Sequence, residues 1–152
     1  MTLEERVHAL EARFDILQLE AVYARTWDTA DAPAWAGVFT ADGAFALTGK
    51  DGAPDRRFEG HDALARFCVD VNRRYTGLHF LHTPEVHVDG NTARGRMYFE
   101  FKYVVRADPA STSQGAESGY YDVEYACTPD GWRMRERVEH GVLSHIATFL
   151  DL

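Results

Sequence analysis

TLEERVHALEARFDILQLEAVYARTWD, residues 2–28, carries the longest periodic signal in the chain. Leu3, Val7, Leu10, Phe14, Leu17, Ala21 and Ala24 recur in alternating steps of four and three, while Glu4, Glu5, Arg6, Glu11 and Arg13 fall between them. This spacing predicts one long amphipathic helix. Thr2 with Glu5 three residues on is a capping-box signature for its start. Such a helix outruns a small domain. The ridge from Leu3 to Leu17 is therefore expected to pack on another subunit or on the C-terminal tail, and the plainer reading clamps the helix across its own sheet.

Downstream, Asp31-Ala-Pro33 starts a short second helix, with Trp35, Val38 and Phe39 on its apolar side. Asp42-Gly43 reads as a turn into a strand from Ala44 to Thr48, and Gly49–Pro54 as a loop before a short strand around Arg57-Phe58. Gly60-His61-Asp62 opens a third helix. From Leu78 the period changes from 3.6 to 2, predicting strands near 78–88, 92–106, 118–128 and 131–140. Asp89-Gly90 and Pro129-Asp130-Gly131 are the turns between them, and the Ser/Ala/Gly-rich segment 107–118 is a loop or mobile lid. Val142, Leu143, Ile146, Phe149 and Leu150 are spaced like a short helix closing one end of a cavity, with His140 and His145 at its start. Helices first and strands after give an α+β domain spanning 1–152, with a long and two shorter helices packed on a strongly bent antiparallel sheet.

The 152 residues are enough for a core without staples. Sixteen Lys+Arg against twenty-four Asp+Glu leave a net charge of −8, and the cations form no basic stripe. Nucleic acid is therefore not an expected partner. No apolar run approaches the ~20 residues of a membrane helix. The charged N-terminal stretch, with no apolar h-region, predicts no secretory signal, and Cys68 and Cys127 lie in no metal spacing; both read as buried reduced thiols of a cytoplasmic protein.

In the strand Met97–Tyr103, one parity carries Met97, Phe99, Phe101 and Tyr103, and the other carries Arg96, Tyr98, Glu100 and Lys102. Tyr121, Val123 and Tyr125 repeat the pattern on the next strand. Such an aromatic face is core, and with a few polar tips it also becomes a pocket for a flat apolar ligand. His79 and His82 would chelate a metal at this spacing on a helix, but on a strand they point to opposite faces. No nucleotide-binding or nucleophile-elbow motif is present, so no cofactor and no metal are expected. Acid–base chemistry remains. Asp28 ends the long helix beside Trp27 and little more than one turn after Tyr23, where the helix dipole requires it to have a cationic or hydrogen-bonding partner.

Three groups of residues are similar to SnoaL-like proteins of the nuclear-transport-factor-like superfamily. They are Ile16-x-x-Leu19-x-x-x-Tyr23-x-x-x-x-Asp28 with Trp35, Phe39 and Asp42-Gly43; Phe58-x-Gly60-x-x-Ala63-Leu64; and Leu78-His79-Phe80-x-His82-Thr83-Pro84. Asp130-Gly131-Trp132-Arg133-Met134 closes the pattern. The pattern resembles the bile acid 7-alpha-dehydratases and, more distantly, scytalone dehydratase and a hexachlorocyclohexane dehydrochlorinase. The resemblance implies a cone-shaped barrel with a deep cavity and a trimer as one form of assembly. It also implies that Asp28 holds His79, which moves protons without metal or cofactor, with Tyr23 as a further acid. The chain departs from the bile acid dehydratases at Phe101, where they carry an acid, so a second acid–base group would have to come from Tyr23, Tyr121 or Tyr125.

The resulting expectation is a cofactor-free lyase or isomerase, dehydratase-like, acting on a hydrophobic cyclic small molecule as a homodimer or homotrimer. His79, Asp28 and Tyr23 are its expected catalytic residues. Trp27, Met97, Phe99, Phe101, Tyr121, Tyr125 and His140 are its expected substrate contacts. A non-catalytic binding protein and a polyketide cyclase or hydroxylase are the alternatives.

Overall fold

The computed structural model describes residues 1–49, 52–106 and 113–148. Helix α1 (Leu3–Asp28) begins at the expected capping box, with the Thr2 side chain and the Glu5 side chain each accepting the other's main-chain N–H. The stripe that meets the sheet is Ala12, Ile16, Leu19, Glu20, Tyr23, Thr26 and Trp27, half a turn away from the one expected. Leu3, Val7, Leu10, Phe14 and Leu17 instead face solvent; Leu10 and Phe14 are 63% and 60% exposed. The helix is apolar on two sides, and only one is covered among the described residues.

Ala30 takes a left-handed φ of 58° and redirects the chain into α2 (Ala32–Ala36), which Asp31 caps by accepting from the Ala34 N–H. Strand β1 (Phe39–Thr48) starts earlier than expected: Asp42-Gly43 is an irregularity inside it, not a turn before it. Strand β2 (Pro54–Glu59) follows, then α3 (His61–Arg74), which leads without a turn into β3 (Tyr75–Leu81). Pro84, which has no N–H to donate, separates β3 from β4 (Glu85–Asp89), so the single strand expected near 78–88 is two. Strands β5 (Thr92–Val105), β6 (Ser113–Thr128) and β7 (Gly131–Thr148) complete the sheet.

The strand order is β2-β1-β7-β6-β5-β3, with β4 also on β5. All pairs are antiparallel except β1 with β7, which run parallel, so the sheet is mixed rather than antiparallel. It is curved and open, and does not close into a barrel. Residues 113–118, expected in a loop, belong to β6, and 107–112 lie outside the described residues. The tail expected as a helix is the last part of β7 as far as Thr148, paired to β6; Phe149 and Leu150 lie outside the described residues. Long antiparallel pairing satisfies the backbone here where a lone amphipathic turn could not. Cys68 is buried as expected, and Cys127 is exposed.

The concave face carries the core. Tyr23 and Trp27 of α1 pack with Trp35, Phe39 and Phe45, and Met97, Phe99, Tyr121, Val123 and Met134 line the sheet beneath. Phe67 of α3 stacks on Phe58 of β2 at 4.1 Å, closing one side. Among the described residues, no helix is long and apolar enough to cross a membrane.

Candidate functional site

A cavity of about 610 Å³ opens between α1, α3 and the concave face of the sheet. It is within the range of small-molecule sites, roughly 300–1,000 Å³. Half of its lining is aromatic, and Arg56, Arg66, Asp70, Arg74, His79, Glu117 and Glu139 are among its charged or titratable groups.

Asp28 ends α1, where the helix dipole disfavours a carboxylate. His79 answers that requirement: its main-chain N–H donates to Asp28 Oδ1 and Oδ2 at 3.2 and 3.0 Å, and its Nδ1–H donates to Oδ1 at 2.7 Å. The side chains are only 6% (His79) and 13% (Asp28) exposed. The hydrogen-bond network assigns the proton to Nδ1 and leaves Nε2 as an acceptor on a ring that lines the cavity. Phe101, directly opposite His79 on β5, lies 4.6 Å away between ring centroids; Tyr23 and Trp27 meet the imidazole edge-on at 6.0 Å each. Burial among these rings holds the imidazole below its ordinary pKa; Asp28 opposes this and Arg137 adds to it. The resemblance that pairs Asp28 with His79 implies the opposite direction, because it supplies the carboxylate partner and not the desolvation.

Behind the cavity wall, the Arg137 guanidinium lies between two phenol rings, 3.8 Å from the centroids of both Tyr23 and Tyr121. Its Nη1 donates to both oxygens of Glu20 at 2.9 and 2.8 Å, and Tyr125 Oη donates to Glu20 Oε1 at 2.6 Å. Burial raises the Tyr23 and Tyr121 hydroxyls well above the ordinary phenol range, and Arg137 offsets this only partly, so both are neutral donors at pH 7. The Tyr121 hydroxyl is fully buried close enough to the Tyr23 hydroxyl and the Glu139 carboxyl to act on both, and it makes no well-formed hydrogen bond among the described residues.

Of the expected site residues, His79, Tyr23, Trp27, Phe99, Phe101 and Tyr121 line the cavity. Asp28 acts on it through His79. Met97 and Tyr125 are buried in the core beneath, against Arg137 and Glu20 respectively. His140 faces away: it stacks on Tyr120 at 4.6 Å and places Nε2 3.2 Å from Asp122 Oδ2. The cause is a bulge. Tyr125 pairs with Met134 but Glu124 pairs with Glu136, so Arg135 is an extra residue and the inward parity of β7 moves from Trp132 and Met134 to Arg137 and Glu139.

That shift also conceals the residues that sequence reasoning missed. Glu139 lines the cavity next to Tyr121, its partner in the β6–β7 register, and has no ion-pair partner among the described residues. Burial, reinforced by Glu117, pushes its carboxyl up to about 7; Tyr121, Arg137 and Arg56 pull the other way. Glu117 is also raised by burial. A charged residue on the stripe Ile16-Leu19-Glu20-Tyr23 was the one available sign of a buried partner.

No curated protein matches the chain significantly. Solved structures do. A protein from Novosphingobium aromaticivorans described as a candidate aromatic ring hydroxylase is 26% identical, with a TM-score of 0.77 over 92% of this chain and 94% of its own. An NTF2-like protein with a cystatin-like fold, also from Novosphingobium aromaticivorans, is 27% identical, with a TM-score of 0.70 over 90% and 85%. LinA shares the fold at a TM-score of 0.80 and 11% identity, over 97% of this chain and 95% of its own. Residues 8–138 match the SnoaL-like domain, most of the chain's length, and the chain belongs to the SnoaL-like domain family.

Proposed function

We propose that this chain is a cofactor-free lyase or isomerase that moves a proton on a hydrophobic cyclic small molecule. The observation that carries the reading is the 2.7 Å bond from His79 Nδ1 to Asp28, which leaves Nε2 as the acceptor on a desolvated imidazole that lines the cavity. In this reading Nε2 is the general base. It takes a proton from a substrate carbon activated by a neighbouring carbonyl, while Asp28 fixes the tautomer and stabilises the imidazolium. Such positioned proton transfer contributes about 10²–10⁴-fold. Tyr23, neutral and edge-on to His79, donates to substrate oxygen. The substrate stacks on Phe101 and Phe99 and is kept from water by Trp27 and Phe67. The protein works in the cytoplasm in this reading, with both cysteines free.

The test is solvent deuterium exchange into cyclic ketones, followed by NMR. The wild type is expected to exchange the activated C–H, Asp28→Asn to be slowed about 10²-fold or more, and His79→Ala to lose exchange while still binding the ketone. A wild type that binds the ketones and exchanges none would leave a non-catalytic binding protein, the second expectation from the sequence.

A second copy is the proposed partner of the exposed stripe on α1. Its steps of four and three are the 3.5-residue period of a helix–helix seam.

A further inference from the structure

We infer that Glu139 and Tyr121 form an acid subsite that binds a carbonyl oxygen of the substrate, so the molecule accepted in the cavity is a cyclic ketone or enone. This rests on the proposed proton transfer by His79 and supplies the acid that Phe101 does not.

Three observations on side-chain placement carry it. Glu139 lines the cavity wall on β7 and is held by no ion pair among the described residues, whereas buried Glu20 is fully engaged by Arg137 and Tyr125. Tyr121, opposite it in register, places a fully buried hydroxyl in the same wall, near the Glu139 carboxyl and the Tyr23 hydroxyl but in a well-formed hydrogen bond with no group among the described residues. Burying a hydroxyl without a well-formed hydrogen bond costs free energy, so a site that keeps one beside a carboxyl is built for an oxygen that arrives with the ligand. The third is the path to the base: the rings of Tyr121, Tyr23 and His79 follow one another at 6.0 Å centroid steps, so base and acid lie at two ends of one aromatic floor.

The groups around Glu139 set its charge. Glu117 and Tyr121 come from β6, Arg137 from β7, Arg56 from β2, and Tyr23 and Glu20 from α1. Desolvation and Glu117 dominate, so much of the population carries a proton at neutral pH. A carboxyl kept neutral by its surroundings is a hydrogen-bond and proton donor rather than an acceptor. The step then balances. His79 Nε2 takes a proton from the ring carbon, the C–H electron pair becomes a C=C bond, and the carbonyl π pair moves onto oxygen. That oxygen takes the proton from Glu139 and becomes an enol. Return of a proton from His79 to the same or a conjugated carbon, with the enol proton returning to Glu139, gives exchange or isomerisation and resets both groups.

The test uses 2-tetralone, whose oxygen only accepts, and tetralin, the same skeleton without it. The wild type is expected to bind 2-tetralone about tenfold more tightly than tetralin. That preference should fall as pH rises through the ionisation of Glu139, with tetralin affinity flat. Glu139→Leu and Tyr121→Phe, each first checked for an unchanged fold by circular dichroism, should bring the two affinities together. Glu139→Gln should slow 2-tetralone exchange about 10²-fold, and Glu139→Asp should restore part of it. Equal binding of the two probes by the wild type, or an oxygen preference that ignores pH, overturns the subsite without use of any variant. A preference that survives both substitutions overturns it as well. A preference lost on substitution, with no exchange by the wild type, upholds the subsite and rejects His79 as base.

Discussion

Arg137 Nη1 donates to both carboxylate oxygens of Glu20 in an ion pair at the centre of the molecule, with the Arg137 side chain unexposed and that of Glu20 only 5% exposed. The two charges come from the last strand and the first helix, and Tyr23 and Tyr121 cover the cation on both sides. Desolvating such a pair costs several kcal/mol, which the pair repays only when intact. Glu20→Gln or Arg137→Met alone is therefore expected to destabilise the fold by about 3–5 kcal/mol. Replacing both with methionine should cost clearly less than the sum of the two. Urea unfolding of the three variants measures this, and additive losses would show that the charges do not depend on each other.

For His79, burial outweighs Asp28, so the neutral imidazole persists to lower pH than in an exposed histidine. Activity in the proposed reaction should be lost on acidification, along a limb below the ordinary ~6.5 of histidine. Asp28→Asn removes the group that opposes burial. The limb should then move to still lower pH while the plateau falls. An NMR titration of the His79 ring nitrogens gives the same shift without any substrate. A limb that moves to higher pH in Asp28→Asn would contradict this assignment of causes.

The exposed stripe of α1 lies on the side of the helix away from Tyr23 and Trp27. Leu10→Glu with Phe14→Glu should therefore separate assembly from the site. The wild type is expected to sediment as a dimer or trimer of the 17.2 kDa chain, and the double variant as the monomer with unchanged ligand affinity. A wild type that sediments only at 17.2 kDa at micromolar concentration would refute a partner on this face.

The fold was legible because element type follows period: 3.6 through residue 28, then 2 from the strand of Leu78 onward. Which side of α1 faces inward was not, because Leu3–Leu17 and Ile16–Trp27 are both apolar stripes and only packing chooses between them. The aromatic wall of Phe99, Phe101 and Tyr121 was readable from unbroken alternation. Glu139 was not, since one extra residue at Arg135 reverses the parity of β7 as far as Gly141, where a second irregularity reverses it again, and nothing at Arg135 in the sequence marks the bulge. The pairing of Asp28 with His79 came from a resemblance; nothing in the spacing of residues 51 positions apart could have joined them.

Glu139 also ties stability to pH, in a direction that can be checked without a ligand. Its folded-state value of about 7 stands above the ordinary 4.5, so between those two values the native state holds a proton that the unfolded chain has released. Folding is thus favoured on the acid side of the window, and the contribution is lost as pH rises through about 7. His79 acts in the opposite sense, losing stability as pH falls below ~6.5, but it is common to both proteins when a Glu139 variant is compared with the wild type. Glu139→Gln keeps the shape and removes the charge. It should match the wild-type thermal midpoint near pH 5 and exceed it near pH 8 by an amount on the order of 1–3 kcal/mol, at about 2–4 °C per kcal/mol for a domain of this size. Glu117→Gln, by removing the neighbouring carboxylate, should lower the Glu139 value and shrink the pH 8 gain. A Glu139→Gln effect equal at both pH values would mean that the carboxyl is ordinarily ionised, and the acid subsite would lose its donor.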